Sequence, residues 1–106
     1  MARTVKTGTL RVTCGATNKV LSATSLLVTD FEMQPDTGNT GSYMYIGDSS
    51  VDNTYIGRAK GSITNFTVGN SNPVTQPSMD LSKWYVAGDN AADVAIIQYR
   101  ILTEDV

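Results

Sequence analysis

The sequence predicts one all-β domain over residues 1–106, an antiparallel β-sandwich or jelly roll of about seven to eight short strands. Short apolar stretches with a period of two recur along the chain, and turn-forming residues separate them. No stretch has the helical periodicity that would connect parallel strands, so antiparallel pairing is expected. Ser, Thr, Asn and Gly supply most of the polarity, since only 17% of the residues are charged.

Three strands are predicted in the first third of the chain. Residues 4–13 alternate and are rich in Thr and Val, which favour pleated structure. Residues 19–22 can form a short second strand. Residues 25–34 alternate most clearly, and the predicted inward face carries Leu27, Thr29, Phe31 and Met33. Residues 35–39 follow as a turn, because Pro fixes φ, Gly permits positive φ, and Asp and Asn bond to nearby backbone.

Four strands are predicted in the remainder, at residues 42–46, 63–68, 83–87 and 93–102, with a loop containing two prolines at 70–78. In the last strand the residues that share a face are Ala95, Ile97, Tyr99 and Ile101. The period-two pattern predicts that eight side chains are mostly buried: Leu27, Phe31, Met33, Met44, Ile46, Val86, Ile97 and Tyr99.

Composition and charge argue against several classes of protein. The net charge of −2 gives no large electrostatic footprint for nucleic acid. No apolar run reaches the roughly 20 residues of a membrane-spanning helix, and the N-terminus lacks an apolar signal region. The single cysteine, Cys14, cannot form an internal disulfide, so synthesis in a reducing cytoplasm is expected.

The sequence offers little support for an enzyme. It contains no histidine, which removes Ser-His-Asp and Cys-His arrangements and histidine metal sites. Cys14 is expected to be a small buried hydrophobic residue. Neither of the common glycine-rich phosphate-binding motifs occurs. We therefore predict no catalytic residues, no cofactor and no bound metal.

Asp48 and Asp52 are the nearest approach to a carboxylate pair, which would be the arrangement of a glycosidase. Calcium binding is a second alternative, although the spacing is not that of a known calcium loop. Aspartates in turns usually accept hydrogen bonds from nearby backbone N–H groups. We therefore expect both residues to shape the turn, with Val51 returning to the core.

Several aromatic residues are candidates for an interaction surface. If Met44 and Ile46 face inward, Tyr43 and Tyr45 face outward, and an inward Trp84 would place Tyr85 outward as well. Outward aromatics can bind sugars, bases or a protein partner. Packing of cross-strand pairs on a solvated face is the alternative interpretation.

Basic residues are concentrated at the start of the chain. Residues 1–11 contain Arg3, Lys6 and Arg11 and no acidic residue, whereas the rest of the chain contains five basic and ten acidic residues. This segment is expected to be either a basic N-terminal arm or the first strand. A basic segment can complement an acidic protein surface.

Two segments resemble small virion proteins of tailed bacteriophages. Residues 39–51, NTGSYMYIGDSSV, are similar to an "N-x-G-x-apolar-Tyr-Ile-Gly-Asp-x-x-Val" motif of these proteins. Residues 80–88, DLSKWYVAG, are similar to their "Asp-Leu-Ser-x-apolar-Tyr-Val-x-Gly" motif. The two motifs cover about a fifth of the chain, and the closing apolar strand occupies the position that the pattern expects.

The resemblance implies a β-sandwich or jelly-roll virion module without enzymatic activity. The leading expectation is a capsid decoration (cement) protein that binds the major capsid protein on the surface of the virion, as a homodimer or homotrimer. The alternative is a carbohydrate- or receptor-binding module of a head fibre or tail. The candidate interface residues are Arg3, Lys6, Arg11, Tyr43, Tyr45 and Tyr85.

Overall fold

The computed structural model describes residues 3–67 and 79–104 and confirms the all-β antiparallel fold. One short 3-10 helix, Leu81–Lys83, lies between two of the strands. The described residues form ten strands: β1 Arg3–Thr13, β2 Lys19–Val20, β3 Leu27–Val28, β4 Asp30–Pro35, β5 Tyr43–Gly47, β6 Arg58–Ala59, β7 Thr64–Thr67, β8 Met79–Asp80, β9 Tyr85–Gly88 and β10 Val94–Glu104.

The strands form two four-stranded sheets that pack as a sandwich. Sheet A has the order β1-β10-β4-β7, and sheet B has the order β2-β9-β5-β6. Strands β3 and β8 form a separate two-stranded pair. The longest pairing joins β1 to β10 without interruption, from Arg3 opposite Glu104 to Thr13 opposite Val94. The jelly-roll alternative stays a prediction.

The core lies between the two sheets because alternate side chains of each strand point inward. The register places Leu10, Ile97 and Met33 side by side in sheet A. Six of the predicted core residues are buried, namely Phe31, Met33, Met44, Ile46, Val86 and Ile97, and Tyr99 packs against them while partly exposed. Cys14 is fully buried in the same core, as predicted.

Three aromatic rings pack together in and beside the core: Phe31 is fully buried, and Phe66 and Trp84 are partly buried. Phe31 stacks on Phe66 with ring centroids 5.0 Å apart, and Trp84 meets Phe31 edge-on at 5.1 Å. The Arg58 guanidinium lies over the Phe66 ring, 5.9 Å from its centroid. Trp84, which directly precedes β9, therefore packs against the core, as the sequence pattern predicted.

The predicted burial of Leu27 is wrong, because this side chain is 56% exposed while its neighbour Val28 is buried. The predicted strand 25–34 is interrupted at Thr29, whose N–H donates to the Arg100 carbonyl. Before this interruption β3 pairs with β8, and after it β4 pairs with β10. The break changes which residues face inward.

Several strand boundaries also differ from the prediction. The two-residue strands β6 and β8 were not predicted, since two residues cannot display a period. The predicted loop at 70–78 lies outside the described residues. In the part of the chain that the structure covers, no helix has the length and apolarity needed to cross a membrane.

Two buried polar side chains hold the loop after β4 against the start of β10. The Asp93 carboxylate accepts hydrogen bonds from the backbone N–H groups of Thr40 (3.1 Å), Gly41 (3.2 Å) and Asn90 (3.2 Å). The Asn39 side chain donates to the Val94 carbonyl and accepts from the Val94 N–H. Buried polar groups require such partners, so this loop has a fixed position.

Asp80 caps the 3-10 helix. Its carboxylate accepts from the N–H and hydroxyl of Ser82, the hydroxyl of Ser25 and the N–H of Leu26. The hydrogen bonds from Ser82 are the main reason that the pKa of Asp80 lies well below its ordinary value. Asp80 thus connects β8, the helix and the segment before β3.

The lowered pKa of Asp80 predicts an acid-dependent contribution to stability. The folded state binds the proton of this carboxyl more weakly than the unfolded chain does, so the contribution is complete above the unfolded pKa of about 4. It decreases as the pH falls toward the folded pKa. Asp80→Ala should therefore lower the urea midpoint at pH 7, and the difference from wild type should shrink at pH 3. An equal difference at both pH values would contradict this role.

Candidate interaction surface

Three of the predicted interface residues, Arg3, Lys6 and Arg11, lie on β1, which is an outer strand of sheet A. The segment is thus the first strand of the domain over Arg3–Thr13. The side chains of Lys6 and Arg11 are exposed. The three basic residues therefore share one strand at the side of the sandwich.

The hydrogen-bonding direction of β1 follows from Cys14, the residue directly after the strand. The Cys14 N–H donates to the Asp93 carbonyl, which lies on the β10 side. Backbone groups alternate between the two edges of an antiparallel strand, so the even-numbered residues of β1 bond to β10. The N–H and C=O groups of the odd-numbered residues point to the opposite edge: Val5, Thr7, Thr9, Arg11 and Thr13.

Within residues 3–67 and 79–104, no strand pairs with this opposite edge of β1, which is the open edge of the strand in the described structure. Edge strands are commonly short, bent by a bulge or interrupted by Pro, which prevents pairing with other chains. β1 has eleven residues, no Pro and an unbroken register, whereas the other outer strands have two to four described residues. Among the strands that the structure describes, β1 is therefore the longest with an unpaired edge.

A cleft lies beside the C-terminal half of β1, on the side where the two sheets separate. It has a volume of about 400 Å³ between β1 and β2. Val12 and Leu21, both buried, contribute apolar surface, and Arg11 and Lys19 are its exposed charged residues. Among the described residues that line it, none is acidic.

Arg11 is partly engaged within the domain. Its guanidinium forms an ion pair with Asp36, in the turn that follows β4. The Gly38 N–H, and next the Arg11 guanidinium, hold the pKa of Asp36 below its usual value. Exposed pairs of this kind contribute little to stability. Arg11 can therefore exchange this partner for another carboxylate.

The predicted platform of outward tyrosines on sheet B is mostly covered. Tyr45 does point away from the main core, but it is only 8% exposed. Its hydroxyl donates to Asp89 at 2.8 Å, which raises the pKa of Tyr45. Tyr85 is half-buried beside it, and Tyr43 alone is well exposed, at 48%. Tyr45 therefore faces away from the main core, as predicted, but other residues cover its side chain.

Tyr45 is covered by the loop between β5 and β6, residues 48–57. Val51 is buried, but it packs with Tyr45 and Ala87 on the outer face of sheet B and does not return to the main core. Tyr55 and Tyr85 pack around this second cluster. A non-local contact thus buries a side chain that strand alternation alone would expose.

Asp48 and Asp52 stabilise the turns of this loop. Asp48 accepts from the Ser50 N–H and from the Tyr55 hydroxyl, and the Tyr55 bond is the main cause of its lowered pKa. Asp52 accepts from the N–H of Thr54. These contacts account for both carboxylates as turn residues. Within the part of the chain that the structure describes, no group of three or more His, Cys, Asp or Glu is placed to hold a metal ion.

The sequence pattern does not indicate one exposed apolar residue, Ile56, which lies in the loop before β6. Ile56 is 77% exposed, and the following Gly57 packs closely against Tyr43 and Tyr45. Its position in a loop gives no periodic signal. Tyr43 and Ile56 are therefore two exposed apolar side chains in this region of the chain.

Other features of the surface are less suited to binding. The outer face of sheet A has a groove of about 160 Å³ lined by Thr9, Glu32, Gln34, Ile63, Ile96 and Gln98. Ligand pockets are usually about 300–1,000 Å³, so this groove is small. On the same face, Arg100 forms ion pairs with Asp30 and Glu32, so the Glu32 carboxylate that lines the groove already has a partner. The Cys14 thiol is buried, and burial raises its pKa, which disfavours the reactive thiolate.

Comparison with protein-family models, with curated proteins and with solved structures gave no match for this chain.

Proposed function

We propose that this chain is a non-enzymatic virion structural protein, a capsid decoration protein that binds an assembled shell and stabilises it. The open edge of β1 is the observation that carries the proposal, because it offers backbone donors and acceptors over about 36 Å of strand. The similarity of residues 39–51 and 80–88 to motifs of phage virion proteins supports the virion context.

The charge of β1 supports a protein partner with acidic surface. The strand has three basic residues and no acidic residue, while the protein as a whole has a net charge of −2. Complementary charges steer association and fix orientation. A repeating shell presents the same site many times, so a homo-oligomer would gain affinity through effective concentration.

The proposal predicts that the purified protein is retained on shells assembled from the major capsid protein alone. Protein and shells are mixed, sedimented and counted by quantitative mass spectrometry, with shells that already carry their decoration protein as the control. Retention should fall as salt is increased, since screening weakens charge complementarity. Failure of the wild type to sediment with undecorated shells at low salt would overturn the proposal. Binding on a glycan array without shell retention would favour the carbohydrate-binding alternative.

A further inference from the structure

We infer that β1 binds its partner by accepting an extended, acidic segment as an additional strand of sheet A. The segment would pair with the open edge between Val5 and Thr9. This inference rests on the proposed function and adds to it the chemistry and the position of the contact.

The backbone of β1 is prepared for this pairing. Val5, Thr7 and Thr9 direct their N–H and C=O groups to the open edge, as the register with β10 requires. The strand is already held straight along its whole length by β10, so the partner would not have to order it. In strand addition the main-chain hydrogen bonds provide affinity and neighbouring pockets provide specificity.

Charge indicates an acidic partner. Lys6 and Lys19 are exposed at or near the open edge, and in the described residues the ion pairs involve only Arg11 and Arg100. An incoming segment with carboxylates would therefore meet cations whose charge is still available. Each such contact is modest in water, but together the contacts select against a basic segment.

The same charges disfavour a second copy of this chain as the occupant. Pairing β1 with β1 of another copy would bring two basic strands together, with Lys6 and Arg11 on each. Like charges on adjacent strands are destabilising. The cleft lies beyond Thr9, beside the C-terminal half of β1, so a segment that extends past Thr9 can place a side chain against Val12 and Leu21.

The probe is a blocked nine-residue peptide of alternating Glu and Val, with the same peptide carrying Lys in place of Glu as the control. Amide NMR shifts of the wild-type protein are followed during titration. The Glu peptide should shift the amides of Val5, Thr7 and Thr9 and should bind at least about tenfold more tightly than the Lys peptide. Shifts confined to Tyr43 and Ile56 would overturn the inference. Protection of the β1 amides that grows with protein concentration, without peptide, would also overturn it in favour of a second copy.

Two matched pairs of variants test the contact. Thr7→Pro removes one N–H from the open edge and leaves the bonds to β10, whereas Thr7→Val keeps the N–H. Thr7→Pro should weaken peptide binding about tenfold relative to Thr7→Val. The loss is expected because the proline removes one backbone hydrogen bond to the peptide and its ring obstructs the peptide backbone. Lys6→Glu should weaken binding more than Lys83→Glu, which makes the same charge change on the 3-10 helix. Equal affinities within both pairs would contradict the inference.

Shell retention separates this inference from the proposed function. If the wild type and Thr7→Pro are retained equally, the protein binds shells through another surface and the strand-addition inference is wrong. If the wild type is not retained while the peptide still binds at β1, the edge is a real site and the capsid is not its partner.

Discussion

Phe31→Ala is expected to lower the free energy of unfolding by about 3–5 kcal/mol, the range for truncating a fully buried aromatic residue. Phe31 contacts both Phe66 and Trp84, with centroid distances of 5.0 and 5.1 Å, and so connects sheet A to the residue that directly precedes β9 of sheet B. Removing the ring would leave a cavity that the two flanking rings cannot fill without losing their own contacts. For a domain with a stability of about 5–15 kcal/mol, this is a large fraction.

Urea unfolding, followed by Trp84 fluorescence, measures this effect directly. Tyr43→Ala is the control, because it removes a ring from an exposed position and should cost about 1 kcal/mol or less. A loss below about 1 kcal/mol for Phe31→Ala would show that the aromatic cluster does not organise the core.

Asp93→Ala is expected to cost about 3 kcal/mol or more. The substitution leaves the N–H groups of Thr40, Gly41 and Asn90 without their acceptor in a buried site. A hydrogen bond to a charged group contributes about 1.5–3 kcal/mol, and these three bonds share one acceptor group and are not additive. The stability loss therefore comes from donors left unsatisfied more than from the missing side chain.

The matched control is Asp52→Ala, which removes an exposed turn carboxylate with only local partners. The stability loss of Asp93→Asn should lie between those of Asp93→Ala and Asp52→Ala, because an amide keeps one acceptor oxygen. Gly41→Ala provides an independent test, since its Cβ would overlap the Asp93 carboxylate. Thermal unfolding of all four variants measures these differences. An Asp93→Ala variant as stable as Asp52→Ala would exclude the proposed role of the carboxylate.

Local patterning predicted the strands that alternate over five or more residues. In β10, Ala95, Ile97 and Tyr99 share a face because the whole strand is straight and lies at the centre of sheet A. The same reasoning failed at Leu27, where Thr29 breaks the strand and the chain moves to another partner. A change of partner is a tertiary event, and the period of the residues before it carries no sign of it.

The candidate surface was predictable in part for a similar reason. The basic character of residues 1–11 is visible in the sequence, but their position at an open edge depends on pairing with residues some ninety positions away. The burial of Tyr45 depends on Val51 and Tyr55 folding back over sheet B. Sequence alternation predicts the face of the sheet on which a side chain lies. It does not predict whether a distant part of the chain covers that face.

The pairing of β1 with β10 also constrains the order of events during synthesis. β1 bonds along its full length to a strand that is made eighty residues later, from Thr13 to Val94. At about 5–20 residues per second, roughly 4–16 s pass before β10 has been translated. During that interval the N-terminal strand has both of its edges unpaired, and closing so long a loop makes sheet A a late step of folding. The basic charge of β1 would then protect the nascent chain, because it discourages pairing between neighbouring copies on the same messenger RNA.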